Sequence, residues 1–200
     1  MTQRGNRRQQ TFFSDDDYLY YLRTMEQLST QYSVNVSAYC LMPNHVHLLL
    51  VPPSRESLIS MVSKLHERYT RYLNFKMGWR GYLWQGRFFS VPLSEQHYLN
   101  CIAYIELNPL RANLVEDIYS YKWVSRNSDS QSLKLVNVDA YDIIRSATRT
   151  GRPRGSKEFL GLVKRITGID PTPKKPGPKK ECGESSMSSS YVVCPSNSSN

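Results

Sequence analysis

The stretch VNVSAYCLMPNHVHLLLV, Val34 to Val51, decides the fold. Val34, Val36, Ala38 and Cys40 alternate with Asn35, Ser37, Tyr39 and Leu41, which is the period of a strand. Pro43-Asn44 is turn chemistry, and His45 to Val51 is a second strand-like run, so the two runs predict a hairpin. A strand projects alternate side chains to one face, so His45 and His47, at i and i+2, can direct both imidazoles at one metal ion. An isolated HxH pair on an apolar strand is most often structural. A zinc hydrolase would also use it, together with a third strong ligand; His66 lies inside a helical pattern and does not supply one.

Working outward, Asp15, Asp16 and Asp17 offer N-caps and favourable charge at a helix start. Leu19, Leu22 and Met25 follow at near-helical spacing, predicting a helix to about Ser29. After Pro52-Pro53, residues Leu58, Met61, Val62, Leu65, Tyr69, Tyr72 and Leu73 recur at three and four and predict a second helix. A loop rich in Gly and aromatics, Gly78 to Gly86, precedes a predicted strand from Arg87 to Val91. A third helix is expected from about Ser94 to Asn108, stopping at Pro109.

On the wheel of that third helix, Tyr98, Cys101, Ile102 and Ile105 form the core stripe. Tyr104 falls about 100° from Ile105 and is expected off the core, with Asn108 and His97 on its face. Two imidazoles, a carboxamide and a phenol form a coherent set. His45, His47 and the Asn108 oxygen suit Mg²⁺ or Mn²⁺, which would act as a Lewis acid on a phosphodiester. Tyr104 would be the nucleophile, giving a phosphotyrosine.

Composition agrees with a nucleic-acid partner. The 200 residues carry 26 Lys and Arg against 17 Asp and Glu, a net charge of +9, which favours nucleic acid first and a membrane surface second. The four cysteines lack CxxC spacing, so neither a zinc ribbon nor a thioredoxin-type pair is indicated. No apolar run approaches the roughly 20 residues that span a bilayer, and the Arg-rich start has no signal-peptide core. A soluble, cytoplasmic protein is expected. Arg4, Arg7 and Arg8, then Arg68, Arg71 and Arg87, are candidate phosphate contacts, and Trp84 reads equally as a base-stacking platform or a packing residue.

Near Gly151 the composition shifts: residues 151–200 hold nine of the basic side chains and four of the acidic ones. The expected division is a catalytic domain over 1–128 and a partly helical extension over 129–170, with a short helix near Lys157 to Thr167. A basic, then Ser-rich, disordered tail is expected over 171–200, adding nonspecific phosphate attraction.

AYCLMPNHVHLLL (Ala38 to Leu50), RYTRYLN (Arg68 to Asn74), LWQGRF (Leu83 to Phe88) and YIELNPLRANLV (Tyr104 to Val115) closely resemble the REP-associated tyrosine transposases. These belong to the single-tyrosine HUH transposases, relatives of the transposases of small bacterial insertion sequences. The resemblance covers roughly residues 3 to 126, and RTGRPRGSKEF (Arg149 to Phe159) is similar to a C-terminal extension of many members. It implies an α+β, ferredoxin-like (RRM-like) fold of the HUH endonuclease type, an antiparallel sheet flanked by helices. His45, His47 and Asn108 match the metal-site positions and Tyr104 the nucleophile. The substrate implied is single-stranded DNA, often beside a hairpin, with a 5′-phosphotyrosine and a free 3′-OH as products, in a bacterial cytoplasm and on the nucleoid when bound to DNA. A catalytically silent, domesticated hairpin-binding protein is the alternative. Members usually begin with a strand before an RGN segment. Here only three residues precede Arg4-Gly5-Asn6, so most of the first strand is expected to be missing; the open edge predicts low solubility or a homodimer.

Overall fold

The computed structural model describes residues 1–126, 144–148, 150, 152–153, 155–168 and 170–171. Three strands, β1 (Thr2–Arg4), β2 (Asn35–Met42) and β3 (His45–Val51), form an antiparallel sheet in the order β1-β3-β2. Helices α1 (Asp15–Gln31) and α2 (Arg55–Met77) pack on one face, and α3 (Tyr98–Glu106) on the other. A single turn, α4 (Asn108–Arg111), follows α3, and a helix spans Lys157–Thr167 as the sequence predicts. The expected α+β class is observed. The expected disordered tail, from residue 172, and residues 129–143 of the extension lie outside the described residues. Among the described residues no helix is long and apolar enough to cross a membrane.

The hairpin forms as predicted, with Met42 opposite His45 across the Pro43-Asn44 turn. One part of the strand reading is corrected. Val34 and Val36 were placed on one face with Ala38 and Cys40, but a bulge between Val36 and Ala38 breaks that alternation. The extra residue flips the facing set. Val34 and Val36 therefore pack with α1 and α2, while Ala38, Cys40 and Met42 face α3.

The larger core lies between the sheet and α1/α2, around Phe12, Tyr21, Leu28, Val46, Leu48, Leu65, Tyr69 and Leu73, all essentially inaccessible to solvent. Truncating Leu65 or Leu73 to alanine would cost ~2–5 kcal/mol. α1 is capped by Ser14, not by the aspartates; Asp17, at the third helical position, closes a capping box by accepting from the Ser14 N–H at 2.9 Å. Its buried carboxylate also accepts from the Phe13 N–H (2.8 Å), the Tyr72 hydroxyl (3.1 Å) and Lys76 Nζ (2.6 Å), tying α1 to α2.

The first strand is short, three residues against eight in β2 and seven in β3. Thr2–Arg4 pairs with β3, and residues 84–89 run along the outer side of β1 through bridges Thr2–Phe89 and Gly5–Trp84. This replaces the strand predicted over Arg87 to Val91. No continuous ladder forms because the buried Gln3 side chain takes the Gly86 carbonyl through Nε2 at 2.7 Å. The far edge is flanked as well: the Leu41 N–H donates to the Trp123 carbonyl and the Ser125 N–H to the Tyr39 carbonyl, both at 2.9 Å. Residues 84–89 thus flank β1, and Trp123 and Ser125 flank β2 at Tyr39 and Leu41.

The glycine of Arg4-Gly5-Asn6 is there for space. A Cβ at Gly5 would lie 2.4 Å from the Gln9 carbonyl oxygen and 2.7 Å from Thr11 Cγ2. Gly5 N–H donates to the Asn44 carbonyl at 2.9 Å, so this close approach locks the N-terminal segment onto the hairpin turn.

Candidate active site

β3 is the central strand, and its alternation sends His45 and His47 to the α3 side. His47 is opposite Thr2 on one neighbour and Cys40 on the other; His45 is opposite Arg4 and Met42. The two rings lie 4.9 Å apart between centroids at 76°. His45 Nδ1 is 2.6 Å from Asn44 Oδ1, and His47 Nδ1 is 3.3 Å from Thr2 Oγ1. With each Nδ1 so engaged, Nε2 is the nitrogen left to coordinate. Burial, and then the Arg4 charge, push His45 down to about 4. Burial, followed by the charges of His45, the N-terminus, Arg4 and Arg111, drives His47 well below its ordinary value. Both rings are therefore neutral near pH 7, the form that binds metal.

Facing them across an open pocket of about 850 Å³ are Tyr104 and Asn108. The Tyr104 ring stands edge-on to His47, 6.1 Å between centroids at 85°. Asn108 Nδ2 donates to the Tyr104 carbonyl at 2.9 Å, which turns its Oδ1 away from the end of α3. The two neutral imidazoles and the amide oxygen line one pocket, and together they are donors of the kind Mn²⁺ or Mg²⁺ could take. Among the described residues no three His, Cys, Asp or Glu side chains come together as a metal cluster. His66, the other histidine weighed above, is committed to the Tyr21 hydroxyl at 3.1 Å within the α1/α2 core.

Tyr104 is not off the core, as the helical wheel suggested. It is 7% exposed and belongs to the cluster beneath α3. The wheel assumed one covered face, whereas α3 is packed by the sheet through Ala38, Cys40 and Met42 and by Ile144 as well. Burial raises the Tyr104 phenol; the Arg111 charge beside it acts in the opposite direction. His97 does not join the site, because its Nδ1 is held 2.6 Å from Ser94 Oγ in the 3₁₀ turn Glu95–His97 that precedes α3.

Of the candidate DNA contacts, Arg4 and Arg87 line the pocket. Arg7 and Arg8 are exposed beside the hairpin turn, both with left-handed backbone (φ 51° and 61°). Such strain costs of order 1–3 kcal/mol per residue and is held here by the bonds from Gly5 N–H to Asn44 O and from Asn6 N–H to Leu83 O. Arg68 and Arg71 lie on α2, away from Tyr104. Arg71 lines a second pocket of about 770 Å³, which shares Gln85, Gly86 and Arg87 with the first. Trp84 is 7% exposed, its Nε1 donates to the His66 carbonyl at 3.4 Å, and its ring packs on His66 and Tyr69; it also lines the second pocket.

Two arginines in the first pocket, Arg111 and Arg145, escaped the sequence reading. Arg111 was legible, since Tyr104, Asn108 and Arg111 are spaced i, i+4, i+7, but ending the helix at Pro109 hid it. Pro109 in fact opens α4, where a missing N–H costs nothing. Arg145 comes from the helical residues 144–148, about 40 positions from Tyr104 in sequence, and no local pattern marks it.

The family model described as "Transposase IS200 like" matches residues 3–108, which include the histidine strand, Tyr104 and Asn108. A protein named as a REP-associated tyrosine transposase from Haemophilus influenzae is 26% identical over 125 residues, 56% of this chain and 71% of that one. A solved REP-associated tyrosine transposase, bound to a REP hairpin, shares the fold with a TM-score of 0.52 at 18% identity, over 62% of this chain and 72% of that one. Sequence family, named relative and fold agree, and the chain belongs to the IS200-like transposase family.

Proposed function

We propose that this protein is a transposase that cuts and rejoins single-stranded DNA beside a hairpin through a covalent 5′-phosphotyrosine on Tyr104. The observation that carries the reading is the meeting of Tyr104 with His45, His47 and Asn108 around one open pocket rimmed by Arg4, Arg87, Arg111 and Arg145. Cationic side chains around an aromatic nucleophile suit a phosphodiester and little else. On this reading the three-stranded sheet is the centre of a ferredoxin-like HUH fold.

His45, His47 and Asn108 would hold Mg²⁺ or Mn²⁺, which supplies Lewis-acid polarisation of the phosphate when bound. The chain's own part is binding and alignment. Arg4, Arg87 and Arg145 on the rim hold phosphate oxygens, and the Tyr104 ring stands edge-on to His47. Tyr104 Oη then forms a bond to phosphorus as the P–O3′ bond breaks. The phenol proton passes to water in the open pocket, and O3′ leaves as a hydroxyl after taking a proton from solvent. The 5′-phosphate stays on Tyr104, and its ester energy is available for rejoining when a 3′-OH attacks in the reverse sense.

A second reading, a silent hairpin-binding protein acting in the cytoplasm, is favoured by the burial of Tyr104. One experiment separates the two. A labelled single-stranded hairpin oligonucleotide with Mn²⁺ or Mg²⁺ is expected to give a covalent protein–DNA adduct that disappears in Tyr104→Phe. Binding without any adduct supports the silent protein, and cleavage that survives Tyr104→Phe assigns the chemistry to water.

A further inference from the structure

We infer that Arg111 is the positioning residue for Tyr104, holding the phenol ring and its oxygen in the attacking orientation rather than supplying DNA affinity; the inference rests on Tyr104 being the nucleophile. Arg111 Cζ stands 5.2 Å from the centroid of the Tyr104 ring. A guanidinium on a ring face opposes rotation of that ring, and its N–H groups can only donate, so toward a phenol they address the oxygen.

The backbone provides for this arrangement. α3 ends with the Leu107 N–H donating to the Ala103 carbonyl at 2.9 Å, and Pro109 then starts α4. The Arg111 N–H donates to the Leu107 carbonyl at 3.1 Å, which returns the chain by one turn and sets Arg111 over Tyr104. Asn108, from that same turn, fixes the Tyr104 carbonyl. One four-residue turn thus presents both a metal-site oxygen and the group that holds the nucleophile, so the two halves of the site move together. Lysine at position 111 would keep the charge on the ring but lose the planar fork.

The test compares wild type with Arg111→Ala and Arg111→Lys on a labelled single-stranded hairpin oligonucleotide. Affinity is read without metal, and single-turnover adduct formation is read with Mn²⁺ at saturating DNA. Arg111→Ala is expected to slow adduct formation about 100-fold while affinity stays within about threefold. Arg111→Lys should recover about tenfold of that loss. An unchanged rate at saturation, or a loss accounted for by affinity alone, overturns the inference. A second readout is independent of chemistry. In protein carrying 3-fluorotyrosine at all fourteen tyrosines, the signal assigned to Tyr104 by its absence in Tyr104→Phe should show two ring orientations in wild type and one averaged line in Arg111→Ala. An averaged line already in wild type overturns the inference. If wild type forms no adduct yet the ring is held by Arg111, it is the nucleophile assignment that has failed.

Discussion

Thr2 and His47 face each other across β1 and β3, and the Thr2 hydroxyl approaches His47 Nδ1 to 3.3 Å. The shortest strand of the sheet therefore orients a residue of the proposed metal site. Thr2→Val should weaken Mn²⁺ binding about tenfold, measured by calorimetry, with the melting temperature of the metal-free protein little changed. Equal affinity in the variant would show that sheet packing alone sets the ring.

Gly5 tests whether the segment between β1 and α1 is held by close backbone approach. Gly5→Ala drives a methyl against the Gln9 carbonyl and Thr11 and should destabilise the fold by about 1–3 kcal/mol in urea titration. Gly86→Ala, where a Cβ meets nothing within 4 Å, should be nearly neutral. Similar losses at both positions would refute the steric account.

Asp17 links stability to pH. Burial alone would raise its carboxyl, but the Lys76 ammonium, the Phe13 and Ser14 amides and the Tyr72 hydroxyl outweigh burial and hold it below its ordinary value. A carboxyl lowered in the folded state stabilises above its unfolded value of about 4 and loses that contribution as pH falls through the folded value. Asp17→Asn should cost about 2–3 kcal/mol near pH 7, and the gap to wild type should close below pH 4. A gap independent of pH would mean that shape, and not charge, matters at this position.

The tail beyond Pro171 carries Lys174, Lys175, Lys179 and Lys180. Deleting it should weaken single-stranded DNA binding and flatten the slope of log affinity against log salt by up to about 3. Unchanged affinity at low salt would assign the tail another purpose.

The hairpin, both long helices and the four residues His45, His47, Tyr104 and Asn108 were legible because each follows from a short-range pattern. What was missed is non-local. The Ser37 bulge reassigns the first half of β2, and nothing in its alternation announces this. Trp84 lies in a loop rich in glycine and charge, which reads as surface, yet His66 and Tyr69 from α2 enclose it. Residues 84–89 cover β1 through hydrogen bonds that include one from a side chain, Gln3 to Gly86, and no strand period records them. Tyr104 reads as lying off the core stripe, with Asn108 at i+4, and is buried; its neighbour on a different element is His47.

β3 is hydrogen-bonded on both sides, to β1 and to β2. Its amides around Val46 and Leu48 should exchange with solvent only through whole-molecule unfolding, later than those of the single turn α4. The histidines are thus anchored in the segment that survives longest as the protein opens, so on the proposed mechanism partial denaturation should abolish strand cleavage while both imidazoles still keep their places in the sheet.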